Sequence, residues 1–484
     1  MTADDAQRRL ARAREAQVQW GQTSLQRRAR ALRPLRRAIA DRMDEILAVL
    51  CNEVGKPAMD ALAGDVMVTL EQLCYYERRS AHTLRSRKRG KPWFFFSGVR
   101  FKEWMEPHGV VLVCAPWNYP LQLSVVPMAT ALFAGNAVLL KCSERTPRTA
   151  AMIAELCAAA GLPEGLVQVS CEPPEQAAML LDARPDFVFF TGSSGNGRHV
   201  AAKAASLMIP AAMELGGKDA ALVFDSCDLE RTANGLVYGS FSNAGQVCIG
   251  AKRIYVQRGI YDDFLRIFLQ GVERLRVGTT IESDLGPTTF ETVRQRLDEQ
   301  IEDAVARGAK LHATRRSGAG EIAPAVLTDV PEDVRLLLEE TFGPVVCIAP
   351  FHNEAHAIRL ANASEFALAA SVWTGDKAQG ERVALRLQCG SCAVNDVIRN
   401  IANPEAAFGG NRSSGYGRYH GEEGLRTFSR VKTVMTAGKL HRNEIHWFPF
   451  QPRTFARVRA LLQVRHGSGF AARIRALKGL FCKP

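Results

Sequence analysis

The residue of this chain best placed by type and surroundings to do covalent chemistry is Cys248, in Phe241-Ser242-Asn243-Ala244-Gly245-Gln246-Val247-Cys248-Ile249-Gly250. The run 229–240 before it has helical composition, and Arg253-Ile254-Tyr255-Val256 after it is β-branched and aromatic, hence strand-like. Asn243 and Gly245 tolerate left-handed backbone, so the chain can turn sharply and present the thiol beside exposed backbone N–H groups. Such groups lower a thiol pKa and can hold an oxyanion, which is the setting of a nucleophile on a loop. A lone cysteine is more often a small buried hydrophobe, so the case for Cys248 rests on what accompanies it.

The elements that must position it begin at Gly109. Strand-like and helix-like runs alternate: 110–113 then 121–133, 137–140 then 148–160, 167–169 then 175–182, 187–190 then 197–206, and 210–213. This is the rhythm of a parallel sheet covered by helices, and ligands bind such sheets at the carboxyl ends of the strands. Those ends hold Ala115-Pro116-Trp117-Asn118-Tyr119-Pro120, an amide on a loop stiffened by prolines, and Lys141-Cys142-Ser143-Glu144, a cation and a carboxylate suited to a phosphate-bearing ribose. The next is Phe190-Thr191-Gly192-Ser193-Ser194-Gly195-Asn196-Gly197, which departs from G-x-G-x-x-G and reads either as a nucleotide loop or as a plain tight turn. The last is Glu214-Leu215-Gly216-Gly217-Lys218.

Around this body the first 87 residues are helical and polar-faced, broken near Gly55-Lys56-Pro57. Pro92-Trp93-Phe94-Phe95-Phe96-Ser97-Gly98-Val99-Arg100-Phe101-Lys102-Glu103-Trp104 reads as an aromatic hairpin whose surface needs a covering partner. With 484 residues, 47% of them hydrophobic and 23% charged, the chain has enzyme-like composition and room for two or three domains. It carries no eighteen-residue apolar run and no signal-peptide pattern, and its twelve cysteines sit in apolar runs, which points to reduced thiols and a cytoplasmic setting. Cys389-Gly390-Ser391-Cys392 has no second ligand pair nearby, so a structural role is expected and no metal. The ten histidines are scattered away from Cys248, which leaves a Cys-His protease without support.

The net charge of +12 is concentrated at the end of the chain: from 439 to 484 there are ten lysines and arginines against one acid, Glu444. Phe455, Val458, Leu461 and Leu462 form one helical stripe, and Phe470, Ile474, Leu477 and Phe481 a second, each interleaved with arginine or lysine. Basic amphipathic helices of this kind lie on acidic membranes or dock on protein surface, and 454–481 is the segment for a peripheral membrane contact. Nothing aromatic is interleaved as a base-stacking surface, so no nucleic acid is expected.

Taken together, Pro116-Trp117-Asn118-Tyr119-Pro120, Phe190-Thr191-Gly192-Ser193, Glu214-Leu215-Gly216-Gly217-Lys218, Gly245-Gln246-Val247-Cys248 and Glu339-Glu340-Thr341-Phe342-Gly343-Pro344-Val345 resemble the aldehyde dehydrogenase superfamily. They stand in its order, with its 34-residue step from glutamate to cysteine. Asn395-Asp396-Val397, Phe408-Gly409-Gly410, Ser414-Gly415, Gly417-Arg418-Tyr419-His420-Gly421 and Thr427-Phe428-Ser429 look most like its class three branch, which handles fatty and aromatic aldehydes. The resemblance covers roughly residues 10 to 436. It implies an α/β fold in which 1–88 and 108–213 form a parallel-sheet dinucleotide-binding domain and 214–396 an α/β catalytic domain. The segments 89–107 and 397–438 would form a β-hairpin bridging element, followed by the tail 439–484, in a homodimer or dimer of dimers.

The resemblance also implies roles. Cys248 attacks an aldehyde, Asn118 and the Cys248 N–H meet the oxyanion, and Glu214 activates the water that cleaves the thioester; alone, Glu214 would read as a strand-end partner of Lys218. Trp117, Lys141, Glu144, Gly192, Ser193, Glu340 and Phe342 fall to the cofactor, NAD with NADP possible, since Glu144 repels a 2′-phosphate while Lys141 attracts one. Tyr119, Phe241, Ile249 and Phe408 are expected to line an apolar passage for the substrate, with no arginine there to hold a carboxylate. Cys142 stands where the family usually has proline, which loosens the turn carrying Glu144, and Ala407 replaces the proline usual before Phe408-Gly409-Gly410. Two competitors are acylation of coenzyme A, against which Glu214 argues, and a non-catalytic scaffold recruited through the tail.

Overall fold

The computed structural model describes residues 1–90, 98–278, 280–287, 289–313, 324–438, 444 and 447–481. The chain divides into a large unit, Met1–Ser86 with Trp104–Lys432, and a small one, Arg87–Glu103 with Thr433–Pro484.

In the large unit a helical layer comes first. Thr2 and Asp5 close a capping box on the helix Ala3–Gln22, satisfying N–H groups that would otherwise be orphaned. The helix Met43–Val54 ends at Gly55, whose φ of 72° is the left-handed stop read from the sequence. After Pro57 the backbone passes through a π-helical stretch, Ala61–Met67, before the helix Val68–Thr83.

Two sheets follow. The first runs Gly415–Tyr416, Ala211–Glu214, Phe187–Thr191, Val110–Cys114, Ala137–Lys141, Val167–Ser170, parallel except at Gly415–Tyr416. Strands such as Val110-Val111-Leu112-Val113 are covered on both faces, which is why they read as unbroken apolar runs. Strand order reverses between Val110–Cys114 and Phe187–Thr191, and a crevice opens at their carboxyl ends. The second sheet runs Lys310–Ala313, Ala325–Thr328, Val345–Phe351, Ala251–Gln257, Asp219–Val223, Ala369–Trp373, Ser391–Val394 and is parallel but for Lys310–Ala313. Its core packs Ile254 and Val256 against Phe264, Phe268 and Val237. The α/β architecture expected from the sequence is therefore present, as two parallel-rich sheets.

In the small unit Arg87–Arg89 pairs antiparallel with the strand that begins at Val99, Arg87 opposite Glu103 and Arg89 opposite Phe101. The expected aromatic run 92–97 of the hairpin lies outside the described residues. The two tail stripes fall on the helices Pro452–His466 and Phe470–Phe481. Among the described residues no helix is long and apolar enough to cross a membrane.

Candidate active site

The helix Leu229–Phe241 gives way to a 3₁₀ turn, Ser242–Gly245, in which Asn243, Ala244 and Gly245 have φ of 50°, 53° and 68°. Three consecutive left-handed residues cost about 1–2 kcal/mol for each that is not glycine, so the surroundings must hold them. The Asn243 N–H donates to Asp60 Oδ2 at 2.8 Å, the Gln246 N–H to the Asn243 carbonyl at 3.0 Å, and Gln246 Oε1 accepts from the Thr289 N–H at 3.0 Å. Buried Lys252 donates to the carbonyls of Gly245 at 2.8 Å and Gly343 at 2.7 Å, tying the turn to the loop after Glu340. A Cβ on Gly245 would lie 2.1 Å from the Gly343 carbonyl oxygen, so only glycine fits.

This turn delivers Cys248, half-buried, to the wall of a cavity of about 1510 Å³. Contrary to the sequence expectation, its thiol pKa is raised: burial dominates, followed by the charges of Asp219, Glu340 and Glu214, and the Ile249 N–H offsets only part of this. The thiolate must be generated within the site.

Asn118 is buried with its Nδ2 donating to the Gln246 carbonyl at 3.0 Å, which points the amide at the nucleophile loop. Its own carbonyl accepts from Lys56 Nζ at 2.7 Å and Asn243 Nδ2 at 3.1 Å. Lys56 is in turn paired with Asp65 at 2.7 Å, both side chains fully buried, and Asp65 Oδ1 accepts from the N–H groups of Leu121 and Gln122 at 3.1 Å each.

Glu214 ends the strand Ala211–Glu214, and its main-chain carbonyl accepts from the Gly192 N–H at 3.1 Å. The carboxylate is buried, and among the described residues neither oxygen has a hydrogen-bond partner. Burial holds its pKa well above the usual range, with Arg418 pulling weakly the other way. The bland alternative, a pair with Lys218, is not formed: Lys218 donates to Thr341 Oγ1 instead.

Towards the crevice of the first sheet, Lys141 Nζ lies 2.8 Å from Glu144 Oε2. Burial raises the Glu144 carboxyl, but hydrogen bonds from Lys141 and from the backbone outweigh it, so it titrates below its ordinary value. Cys142 is buried beside Ser124 and leaves this pair in place. Ser193 caps the helix Ser194–Ser206 by accepting from the Asn196 N–H at 3.3 Å. Trp117 stands edge-on to Phe290 and Phe342, with centroids 4.8 and 5.5 Å away. Glu340, its carboxyl raised by burial, lies over Gly216, where a Cβ would come within 2.3 Å of its Oε1.

Of the residues singled out from the sequence, Trp117, Asn118, Tyr119, Lys141, Glu144, Gly192, Ser193, Glu214, Cys248, Ile249, Glu340, Phe342 and Phe408 all line this one cavity. Phe241 does not: it is the last, fully buried residue of its helix and packs into the second core, 6.2 Å from Phe268 between centroids, while Tyr238 faces the cavity. Arginines are present after all, since Arg231 and Arg399 reach the lining; Arg399 is paired with Asp396, and Arg231 donates to the Asn395 carbonyl at 3.3 Å. Lys56, Asp60, Asp65 and Lys252 were not read as site residues; the only mark of the first was its place between Gly55 and Pro57. Cys389 and Cys392 are free thiols, and no cluster of metal-ligating side chains occurs among the described residues.

Residues 1–434 match the aldehyde dehydrogenase family, and the chain belongs to it. It is 39% identical over 461 residues to a 4,4′-diapolycopene aldehyde oxidase from Methylomonas, covering 95% of this chain and 87% of that protein. It is 36% identical over 445 residues to a putative succinate-semialdehyde dehydrogenase (NADP+) of Mycobacterium ulcerans, covering 90% of this chain and 85% of that protein. Among solved structures, an aldehyde dehydrogenase of Mycobacterium tuberculosis complexed with NAD+ superposes with a TM-score of 0.86 at 32% identity, covering 91% of this chain and 92% of that one. An NAD-dependent aldehyde dehydrogenase of Sinorhizobium meliloti gives 0.87 at 31% identity, covering 92% and 89%.

Proposed function

We propose that this aldehyde dehydrogenase oxidises an apolar aldehyde to its carboxylic acid through a thioester on Cys248, using NAD. The observation that carries the reading is the convergence on one cavity of Cys248, Asn118 and a buried Glu214 that has no hydrogen-bond partner among the described residues. Cys248 Sγ bonds to the carbonyl carbon, and the oxyanion that forms is met by the Asn118 Nδ2–H and the Cys248 N–H. Glu214, a buried carboxylate on the cavity wall, takes the proton of the water that attacks the thioester carbonyl, releasing acid and thiol.

The residues present fit a dinucleotide. Lys141 and Glu144 can hold a ribose, the N-terminus of the helix Ser194–Ser206 offers N–H groups to a pyrophosphate, and Trp117, Phe342 and Glu340 wall the nicotinamide end. NAD, when bound, supplies the two-electron acceptor. Glu144 favours NAD because it stays charged and neutralises Lys141, leaving less attraction for a 2′-phosphate.

An apolar substrate is supported by Met67, Val68, Leu123, Ile401 and Phe408 on the lining, and by the partners that Arg231 and Arg399 already have in the Asn395 carbonyl and Asp396. Of the two aldehydes named for the relatives above, this favours the less polar one and a place in the class three branch. Exposed Val431, Val434 and Met435 on the strand Ser429–Ala437 leave apolar surface that a second copy would cover, in support of a dimer or dimer of dimers. The tail supports peripheral membrane contact: Phe455, Phe470, Ile474 and Leu477 are exposed on helices bearing six described arginines.

The test is cofactor reduction at 340 nm with NAD and NADP against short, long and aromatic aldehydes, for the wild type, Cys248→Ala and Glu214→Gln. The expected result is reduction by the wild type, loss in Cys248→Ala and slowed thioester hydrolysis in Glu214→Gln. No reduction with any aldehyde refutes the reading, and turnover only with coenzyme A replaces it by acyl transfer.

A further inference from the structure

We propose that Gly64 sets the bore of the passage to Cys248 and so selects aldehydes carrying an extended apolar chain. This rests on the aldehyde-oxidising reading above and names the substrate class of the same site.

Gly64 lies within the π-helical stretch Ala61–Met67, a geometry that recurs at functional sites because its wider turn re-aims side chains. Both Gly64 and Tyr119 line the cavity. A Cβ on Gly64 would stand 2.4 Å from Tyr119 Cε1 and 3.0 Å from Cδ1, closer than such contacts tolerate. Lys56 Nζ holds one face of the Tyr119 ring from 4.0 Å, and Lys56 is itself fixed by Asp65 and the Asn118 carbonyl at 2.7 Å each. With that face held, a side chain at 64 forces the Tyr119 ring from its place on the cavity wall.

Tyr119, Phe408, Ala63, Met67 and Tyr238 share the lining of that cavity, and Met67 and Tyr238, 44% and 53% exposed, open it to solvent. Ala63, Met67, Val68 and Phe408 offer carbon beside the carboxylates of Asp60 and Asp396, so an unbranched chain can lie along this side while the carbonyl meets Cys248. Gly64 leaves the Tyr119 ring the space it occupies on the cavity wall.

The experiment is steady-state kcat/KM and KM for propanal, hexanal and decanal with the wild type, Gly64→Ala, Gly64→Ala/Tyr119→Leu and Met67→Trp. One added methyl in a filled pocket costs about 10–200-fold in discrimination, so Gly64→Ala should lose about tenfold or more on decanal relative to propanal. The double variant, with a smaller side chain at 119, should recover the decanal-to-propanal ratio, and Met67→Trp should reproduce the chain-length-selective loss at the mouth. An equal fall for all three aldehydes in Gly64→Ala, or no change in any, assigns Gly64 a packing role only and overturns the proposal. Should Gly64→Ala not fold, a flat profile in Met67→Trp overturns it. A wild type inactive on every aldehyde would instead remove the underlying reading.

Discussion

Replacing Lys56 by methionine strands the Asp65 carboxylate in a fully buried site, where only the N–H groups of Leu121 and Gln122 remain to it. Burial already raises the Asp65 carboxyl with Lys56 beside it, and without that cation an uncompensated charge there is intolerable, so Asp65 must take up a proton on folding. Protonating a carboxyl of unfolded pKa about 3.9 at pH 7 costs about 1.4 kcal/mol per unit over about three units, or about 4 kcal/mol. This agrees with the roughly 3–5 kcal/mol lost when one partner of a buried ion pair is removed. The sign follows: Asp65 in the variant has a folded pKa above its unfolded one, so the deficit shrinks by about 1.4 kcal/mol per pH unit as pH falls, to about 1.5 kcal/mol at pH 5. Lys56→Met/Asp65→Leu, which removes both charges, should recover most of the loss. Activity should not recover in parallel, because the Asn118 carbonyl still lacks its Lys56 donor; displacing that loop by about 1 Å costs about 10²-fold in kcat. The assay is urea unfolding followed by tryptophan fluorescence at pH 5, 6 and 7, beside turnover. A Lys56→Met variant within about 1 kcal/mol of the wild type at pH 7, or with a pH-independent deficit, refutes the reasoning.

Three further outcomes are expected. Glu214 has a folded pKa well above the unfolded value, so the stability of its neutral form is fully present below about pH 4.3 and is lost as pH rises through the folded pKa. Glu214→Gln does not titrate and should gain in melting temperature over the wild type progressively with alkaline pH. Ala244→Gly should raise stability by about 0.5–1 kcal/mol, the left-handed strain relieved less the entropy glycine adds to the unfolded chain, as read in denaturant melts. The tail should sediment with vesicles containing anionic lipid and lose this when Arg457, Arg459, Arg473 and Arg475 become glutamine, at about 1 kcal/mol per charge; retention on neutral vesicles would refute the electrostatic part.

Much of this was legible in the sequence where local chemistry decides structure. The alternating runs from Gly109 located five strands of the first sheet to within a residue or two, because strands covered on both faces must be continuously apolar. Asn243 and Gly245 announced the turn, but Ala244 in the same left-handed run gave no signal, since alanine carries no preference for that conformation and is held there by Lys252 and Asp60. Phe241 was misplaced because its position beside the nucleophile says nothing of which way a helix end faces. The thiol pKa was misread for a similar reason: exposed N–H groups are a property of the turn, whereas burial and the charges of Asp219, Glu340 and Glu214 come from other segments. The Lys56–Asp65 pair was invisible because its partners on the Asn118 loop lie more than fifty residues away.

The antiparallel strand Gly415–Tyr416, set beside Ala211–Glu214, also orders events during synthesis. Glu214 is walled by Gly409, whose Cβ position lies 2.7 Å from its Oε1, and by the strand that begins at Gly415. At about 5–20 residues per second the ribosome needs on the order of 10–40 s to pass from Glu214 to Gly415. For that interval two of the neighbours of the carboxylate are not yet made, whereas Cys248, 34 residues after Glu214, is synthesised early within it. A nascent chain halted before Gly409 therefore carries both Glu214 and Cys248 but lacks the segments that wall the carboxylate in the folded protein.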